Sequence, residues 1–259
     1  MKTRVLLLVT AACCSARPQP AAAQVSYERI LDAASEPESW LTYSGTYGAQ
    51  RYSTLDQIDR DNVDRLQADW IYQARSLQKF EVSPLVADGV MYITEAPSDA
   101  TALDLRTGRP LWSYRRPIPP DIVTCCGQVN RGVALLGDQV FLGTVDAHLV
   151  ALDANTGRVN WDIEVAEHTE GYAITVAPLA LKDMIIVGIS GGEYGIRGFL
   201  DAYDARTGER RWRFWTVPGP GEPGHETWAG DSWRRGGAPT WVTGAYDPEL
   251  NLLYWGTGN

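Results

Sequence analysis

The most chemically pointed residues in this sequence are Cys125 and Cys126, adjacent in the stretch DIVTCCGQVNRG over 121–132. Two neighbouring thiols cannot tie distant parts of a chain together through one another. They pair with each other, pair with another chain, or stay buried as two small reduced hydrophobes. A mutual bridge spans Cα atoms about 3.8 Å apart across a trans peptide, below the usual disulfide range that starts near about 4.4 Å. Such a bridge is strained, and strain of this kind is usually tied to function. All three readings stay open on local grounds.

The compartment bears on the choice. The first residues, MKTRVLLLVTAACCSARPQPAAAQ, place Lys2 and Arg4 before an apolar run from Val5 to Ala12 and small residues at Ala21–Ala23. This is the pattern of a cleaved secretory signal over 1–23, and its apolar run is too short to span a bilayer. A lipoprotein reading through Cys13 or Cys14 lacks the leucine expected before either. Export removes those two cysteines and leaves Cys125 and Cys126 in an oxidising compartment, where exposed free thiols are uncommon.

A second candidate is Glu193, in ISGGEYGIRG, where glycines at a strand end let backbone approach a ligand closely. A carboxylate there suits a hard cation, although most glutamates in such loops are simply solvated. His148, His168 and His225 have no metal-ligand spacing, so a zinc or haem site built on them is not expected. A net charge of −9 sets aside nucleic acid and anionic membrane surfaces as partners.

These residues need a frame, and the repeats describe it. ALDLRTGRPLW (102–112), ALDANTGRVNW (151–161) and AYDARTGERRW (202–212) share Ala-x-Asp-x-x-Thr-Gly-x-x-x-Trp, ending at Trp112, Trp161 and Trp212. The interval is roughly 50 residues, one four-stranded propeller blade. LQADWIYQ, with Trp70, reads as a divergent first copy. In each copy an alternating strand runs into Asp, Thr-Gly turns the chain, and the next strand carries a Trp that covers apolar area between blades. Strand pairs precede the copies at 84–94, 134–144 and 178–190, and 240–257 opens a further blade. Short helices are expected only at 26–35 and 59–67. The fold class is all-β, a β-propeller with about four blades present; an open sandwich fits the repetition less well. Stopping at Asn259 leaves the array incomplete, so the sequence is read as the N-terminal half, residues 24–259, of something longer.

Taken together, WLTYSGTYGAQRYSTLDQI, CCGQVNRG, ITVAPLA, SGGEYGIRG and YDPELNLLYWGTGN resemble the quinoprotein alcohol dehydrogenases of the methanol and ethanol dehydrogenase type. The similarity runs from about Ser26 to Asn259. It implies an eight-bladed propeller holding pyrroloquinoline quinone (PQQ) beside a Ca²⁺ or lanthanide ion. It further implies that Cys125–Cys126 form a disulfide ring against one face of the quinone, with Trp241 stacked on the other. Arg131 would pair with the cofactor, Thr175, Ser190, Gly191 and Gly192 would hydrogen-bond it, and Glu81 would add a polar contact. Glu193 and Asn259 match the metal ligands. Pro239 departs from members that place a threonine donor there, which puts that contact in doubt.

The implied reaction is oxidation of a primary alcohol by hydride transfer to PQQ, with electrons passed on to a cytochrome c in the periplasm. The aspartate base is expected downstream of Asn259; Asp247 lies in a turn signal and is not promoted to that role. The resemblance allows a homodimer and calls for no integral membrane segment. Two other classes compete. A non-catalytic periplasmic scaffold has no need of Cys125–Cys126 or Glu193, and a quinoprotein acting on sugars or polyols is expected to begin with transmembrane helices and to lack the vicinal cysteines.

Overall fold

A computed structural model describes residues 24–258. The signal sequence assigned to 1–23, with Cys13 and Cys14, and the metal ligand assigned to Asn259 lie outside the described residues. Three four-stranded antiparallel sheets follow one another along the chain. The first contains β1 (Leu85–Ala87), β2 (Val90–Glu95), β3 (Asp99–Asp104) and β4 (Pro110–Tyr114). The second contains β5 (Val133–Leu136), β6 (Gln139–Gly143), β7 (His148–Asp153) and β8 (Val159–Glu164). The third contains β9 (Leu179–Leu181), β10 (Met184–Gly188), β11 (Phe199–Asp204) and β12 (Arg210–Trp215). A hairpin of β13 (Ala245–Asp247) and β14 (Leu252–Tyr254) begins a fourth. Each sheet is a meander whose spatial order equals its sequence order, which makes it a propeller blade.

Burial explains why these segments are strands. β6, β7, β10 and β11 carry consecutive buried residues, because both of their faces meet neighbouring blades. The last strands, β8 and β12, have no buried residue, as befits the outer rim. A register shift recurs at the same motif position in every blade, at Ala102/Leu103, Ala151/Leu152 and Ala202/Tyr203. One extra residue on the outer strand sharpens its twist next to the motif tryptophan.

The repeat motif has a specific mechanical role. Asp104 Oδ1 accepts from the Thr107 backbone N–H and hydroxyl, both at 2.9 Å, and Asp153 and Asp204 do the same for Thr156 and Thr207. Each turn then receives a tryptophan from the preceding blade. The indole N–H groups of Trp70, Trp112 and Trp161 donate to the carbonyls of Leu105, Ala154 and Ala205 at 2.9, 2.8 and 3.1 Å. The Trp70 and Trp112 rings lie where a Cβ on Gly108 or Gly157 would sit, so glycine there is required both for its positive φ and for the space, and Trp161 crowds the same position at Gly208. Trp70 therefore belongs to the series although 68–72 forms no strand. Trp212 is 38% exposed.

Two expected helices are corrected in extent. Residues 26–35 hold one helical turn and a half: α1 (Tyr27–Leu31), N-capped by Ser26, then a 3₁₀ turn at Ala33–Ser35. Residues 59–67 hold only a 3₁₀ turn at Val63–Arg65 with none of its residues buried, so nothing stabilises a longer helix there. Among the described residues, no helix is long and apolar enough to cross a membrane.

Candidate cofactor site

An antiparallel meander separates its connections into two ends. The Thr-Gly turns and the first hairpin turns share one end. The second-to-third strand loops and the blade-to-blade links share the other. All the candidates among the described residues fall on this second kind of connection. Cys125, Cys126 and Arg131 lie on the link from β4 to β5, and Thr175 on the link from β8 to β9. Ser190 to Glu193 lie between β10 and β11, and Trp241 between β12 and β13. The motif that builds the fold and the residues that carry chemistry thus occupy opposite ends of the blades.

The links are laced to one another by hydrogen bonds. Ser83 N–H donates to Arg131 O at 3.0 Å, and Arg131 N–H to Thr175 O at 3.2 Å. The Thr243 hydroxyl donates to Ala177 O at 2.7 Å. Ala173 and Ser190 exchange backbone hydrogen bonds at 3.2 and 2.8 Å. Four successive blades are thereby tied at their entry points.

Between these links lies a cavity of about 270 Å³. Eight of the candidates line it: Cys125, Cys126, Arg131, Thr175, Ser190, Gly191, Glu193 and Trp241. Gly192 and Glu81 do not line it. Gly192 opens the 3₁₀ turn Gly192–Tyr194 that presents Glu193. Glu81 Oε2 sits 2.9 Å from Arg131 Nη2 and so touches the site through that guanidinium.

Each side chain is held for a local reason. The sulfurs of Cys125 and Cys126 meet as a vicinal disulfide, with Cα atoms 3.8 Å apart. Cys126 takes a positive φ of 64° and Gly127 one of 101°, so the chain doubles back at once. Asn130, 2% exposed, donates to Gly143 O at 2.8 Å and accepts from Gly132 N–H at 3.0 Å, which pins the residue before Arg131. Arg131 then reaches across the site: its Cζ is 4.9 Å from the centre of the Trp241 ring, and its Nη1 donates to Thr175 O at 3.2 Å. Buried Thr240 accepts from Ile189 N–H at 2.8 Å and donates to Phe199 O at 2.6 Å, fixing the base of Trp241 on the third blade. Pro239, the position lacking a threonine donor, instead accepts from Gly258 N–H at 2.7 Å. That bond brings the end of the described chain against Trp241.

Glu193 is exposed between Gly191 and Gly195, both at positive φ. A Cβ on Gly191 would fall on the Gly171 carbonyl oxygen, so glycine there permits two backbones to touch. Among the described residues, no group of three or more His, Cys, Asp or Glu side chains is placed to hold a metal. Among the described residues, Glu193 is the single carboxylate on the cavity wall.

Sequence reasoning missed Val123, Thr124, Val129, Gly171, Ala173 and Tyr194, which complete the lining. Val123, Thr124 and Val129 flank the cysteines and were within reach of the quoted stretch. Gly171 and Ala173 act through backbone, and neither has a polar side chain to signal it. Asn130 and Thr240 were missed as anchors because their work is done by buried hydrogen bonds rather than at the cavity.

Residues 40–259 match the family model described as PQQ: glucose/ethanol/alcohol dehydrogenase, beta-propeller domain. The chain is 42% identical over 256 residues to the quinoprotein alcohol dehydrogenase PedH of Pseudomonas putida, covering 92% of this chain and 43% of that protein. It is 39% identical over 258 residues to the lanthanide-dependent methanol dehydrogenase of Methylacidiphilum fumariolicum, covering 90% of this chain and 42% of that one. Among solved structures, the quinohemoprotein alcohol dehydrogenase ADHIIG of Pseudomonas putida HK5 superposes with a TM-score of 0.85 at 42% identity, over 92% of this chain and 37% of that one. The chain spans about two fifths of the length of the curated relatives it matches.

Proposed function

The chain belongs to the family of PQQ β-propeller dehydrogenases that act on alcohols and glucose, and from that premise we propose that its cavity is the PQQ site of a quinoprotein alcohol dehydrogenase. The observation that carries this reading is convergence. Cys125–Cys126, Arg131, Thr175, Ser190, Glu193 and Trp241 come from four separate connections and meet on one cavity of about 270 Å³.

The donor chemistry of these walls fits such a group. PQQ is flat and carries carboxylates and quinone oxygens. The disulfide and the Trp241 indole offer flat, polarisable surfaces that use no hydrogen-bonding group of a planar ring. Arg131 offers a rigid fork of donors for carboxylate or quinone oxygen, and Thr175 and Ser190 add hydroxyls. Gly191 lets backbone approach closely. Glu193 offers the hard oxygen that Ca²⁺ or a lanthanide prefers, with Asn259 as its amide partner.

When bound, PQQ supplies a hydride-accepting carbonyl and the metal supplies Lewis acidity beside it. The chain's own residues bind and orient. With the group bound, Arg131, held by Glu81, would neutralise anionic oxygen, Glu193 would hold the positive ion, and the sulfur and indole walls would exclude water and fix the ring plane. The substrate is a small primary alcohol oxidised to the aldehyde, the electron acceptor a cytochrome c, and the compartment the periplasm, reached through the signal over 1–23.

The test is alcohol-dependent dye reduction by the whole protein, stripped of metal and cofactor with chelator. The reading expects no turnover after stripping and recovery only when PQQ is added together with Ca²⁺ or a lanthanide. Turnover that persists without PQQ contradicts it.

A further inference from the structure

The segment over 72–81 forms no strand, yet it is fastened at both ends and in the middle. At its start stands Glu95, the last residue of β2, which is 4% exposed. Its carboxylate is satisfied by the segment itself. Oε1 accepts from the Tyr72 hydroxyl at 2.7 Å, and Oε2 accepts from the backbone N–H groups of Arg75 and Ser76 at 2.6 and 3.4 Å. At its far end Glu81 pairs with Arg131. In between, Gln78 exchanges two hydrogen bonds with Gln128, at 3.1 and 3.4 Å. Lys79 Nζ donates to the Cys126 carbonyl at 2.9 Å.

Resting on the cofactor reading above, we propose that residues 72–81 are a strap that positions the site, with Glu95 its anchor and Lys79 its clasp. A buried carboxylate is costly unless its acceptors are filled. Three donors from one five-residue run therefore fix that run firmly on the first blade. The fixed run brings Lys79 to the carbonyl of Cys126, a residue in the left-handed region that L side chains rarely adopt. A cationic donor on that carbonyl favours the peptide orientation seen, and so the direction in which the two sulfurs face. The same run carries Glu81 to Arg131. Both the sulfur wall and the guanidinium thus depend on one strap held by a residue outside the cavity. Glu95, Lys79 and Gln78 act through other residues and are positioning residues.

The test uses the whole protein and three variants: Lys79→Met, Lys79→Arg and Glu95→Gln, with Tyr72→Phe replacing Glu95→Gln if the latter does not fold. Two quantities are read besides melting temperature. One is the rate at which dithiothreitol opens the Cys125–Cys126 bond, followed by mass after thiol capping. The other is PQQ affinity from quenching of tryptophan emission. Lys79→Met is expected to speed reduction about fivefold or more and to weaken PQQ binding about tenfold, on the scale of one lost charged hydrogen bond, with melting temperature little changed. Lys79→Arg should restore both, and the Glu95 or Tyr72 variant should shift both in the same direction as Lys79→Met. Unchanged reduction rates in the variants overturn the strap, whatever happens to PQQ. Changed reduction rates in a protein that never binds PQQ leave the strap standing and sink the cofactor reading instead.

Discussion

The Arg131 guanidinium carbon lies 4.9 Å from the centre of the Trp241 ring, from a link two blades away in sequence. Arg131 is also paired with Glu81, so it is drawn between a carboxylate and an indole face. A cation–π contact at a partly exposed site contributes about 0.5–1 kcal/mol, and a charge-assisted hydrogen bond contributes more. An anionic ligand entering the cavity can therefore recruit the guanidinium from the ring at small cost, and the ring is left free to stack.

Replacement of Arg131 should separate charge from geometry. Arg131→Lys keeps the charge but loses the planar fork, and Arg131→Met loses both. We expect PQQ affinity to fall about tenfold for Lys and about a hundredfold for Met, the span of one or two charged hydrogen bonds. Equilibrium quenching of tryptophan emission measures both. Equal affinities for the two variants would show that the fork is irrelevant.

Glu193 should report on the metal alone. Glu193→Gln keeps size and shape while removing the negative charge that selects a hard cation. Metal retained through gel filtration, measured by elemental analysis, should drop about tenfold or more, with little change in melting temperature because the residue is exposed. Retention equal to that of the unaltered protein would remove Glu193 from the ligand set.

The tryptophan-on-glycine joints should show in stability. Gly157 has φ +68° and sits under the Trp112 ring, whereas Gly137 has φ +61° with open space around it. Gly137→Ala meets only the backbone penalty, about 1–2 kcal/mol. Gly157→Ala adds overpacking, for about 2–5 kcal/mol in all. Urea unfolding of the two variants checks the difference. Equal losses would mean that the indole yields without cost.

Acid should weaken the joint between the first two blades. Burial works to raise the Asp146 carboxyl, but hydrogen bonds from Arg116 and Thr144 outweigh it and hold the group below its ordinary value. Arg116 Nη2 lies 2.7 Å from Asp146 Oδ2 and also pairs with Asp162. A carboxyl depressed in the folded state contributes stability that is fully present above the unfolded value, about 3.9 for Asp. That contribution is lost as pH falls through the lower folded value. Thermal melts should therefore drop steeply below about pH 4, and Asp146→Asn should be less stable at pH 7 yet flatter in acid. A parallel acid profile for Asp146→Asn would place the sensitivity elsewhere.

The frame was legible because its signals are local. Asp, Thr and Gly within five residues define a turn by their own hydrogen bonds, and the Trp four residues on recurs at blade spacing. What the spacing could not show is which turn each tryptophan caps, since Trp112 reaches Ala154 in the next blade. Residues 59–67 looked helical by composition but have no buried face, and packing rather than propensity decides a short helix. In the site, Cys125–Cys126, Glu193 and Trp241 were visible as unusual residues at unusual places. Glu95, Asn130 and Thr240 were not, because a buried polar anchor is recognised only by the backbone groups it meets.

The most direct measurement is a crystal structure of the whole protein grown with PQQ and Ca²⁺ or europium. The account predicts a flat tricyclic density between the Cys125–Cys126 bridge and the Trp241 ring, an anomalous peak against Glu193, and the Arg131 guanidinium turned from the indole toward ligand oxygen. Cofactor density elsewhere, or the cavity filled by solvent at saturating PQQ while the protein oxidises alcohol, would contradict it.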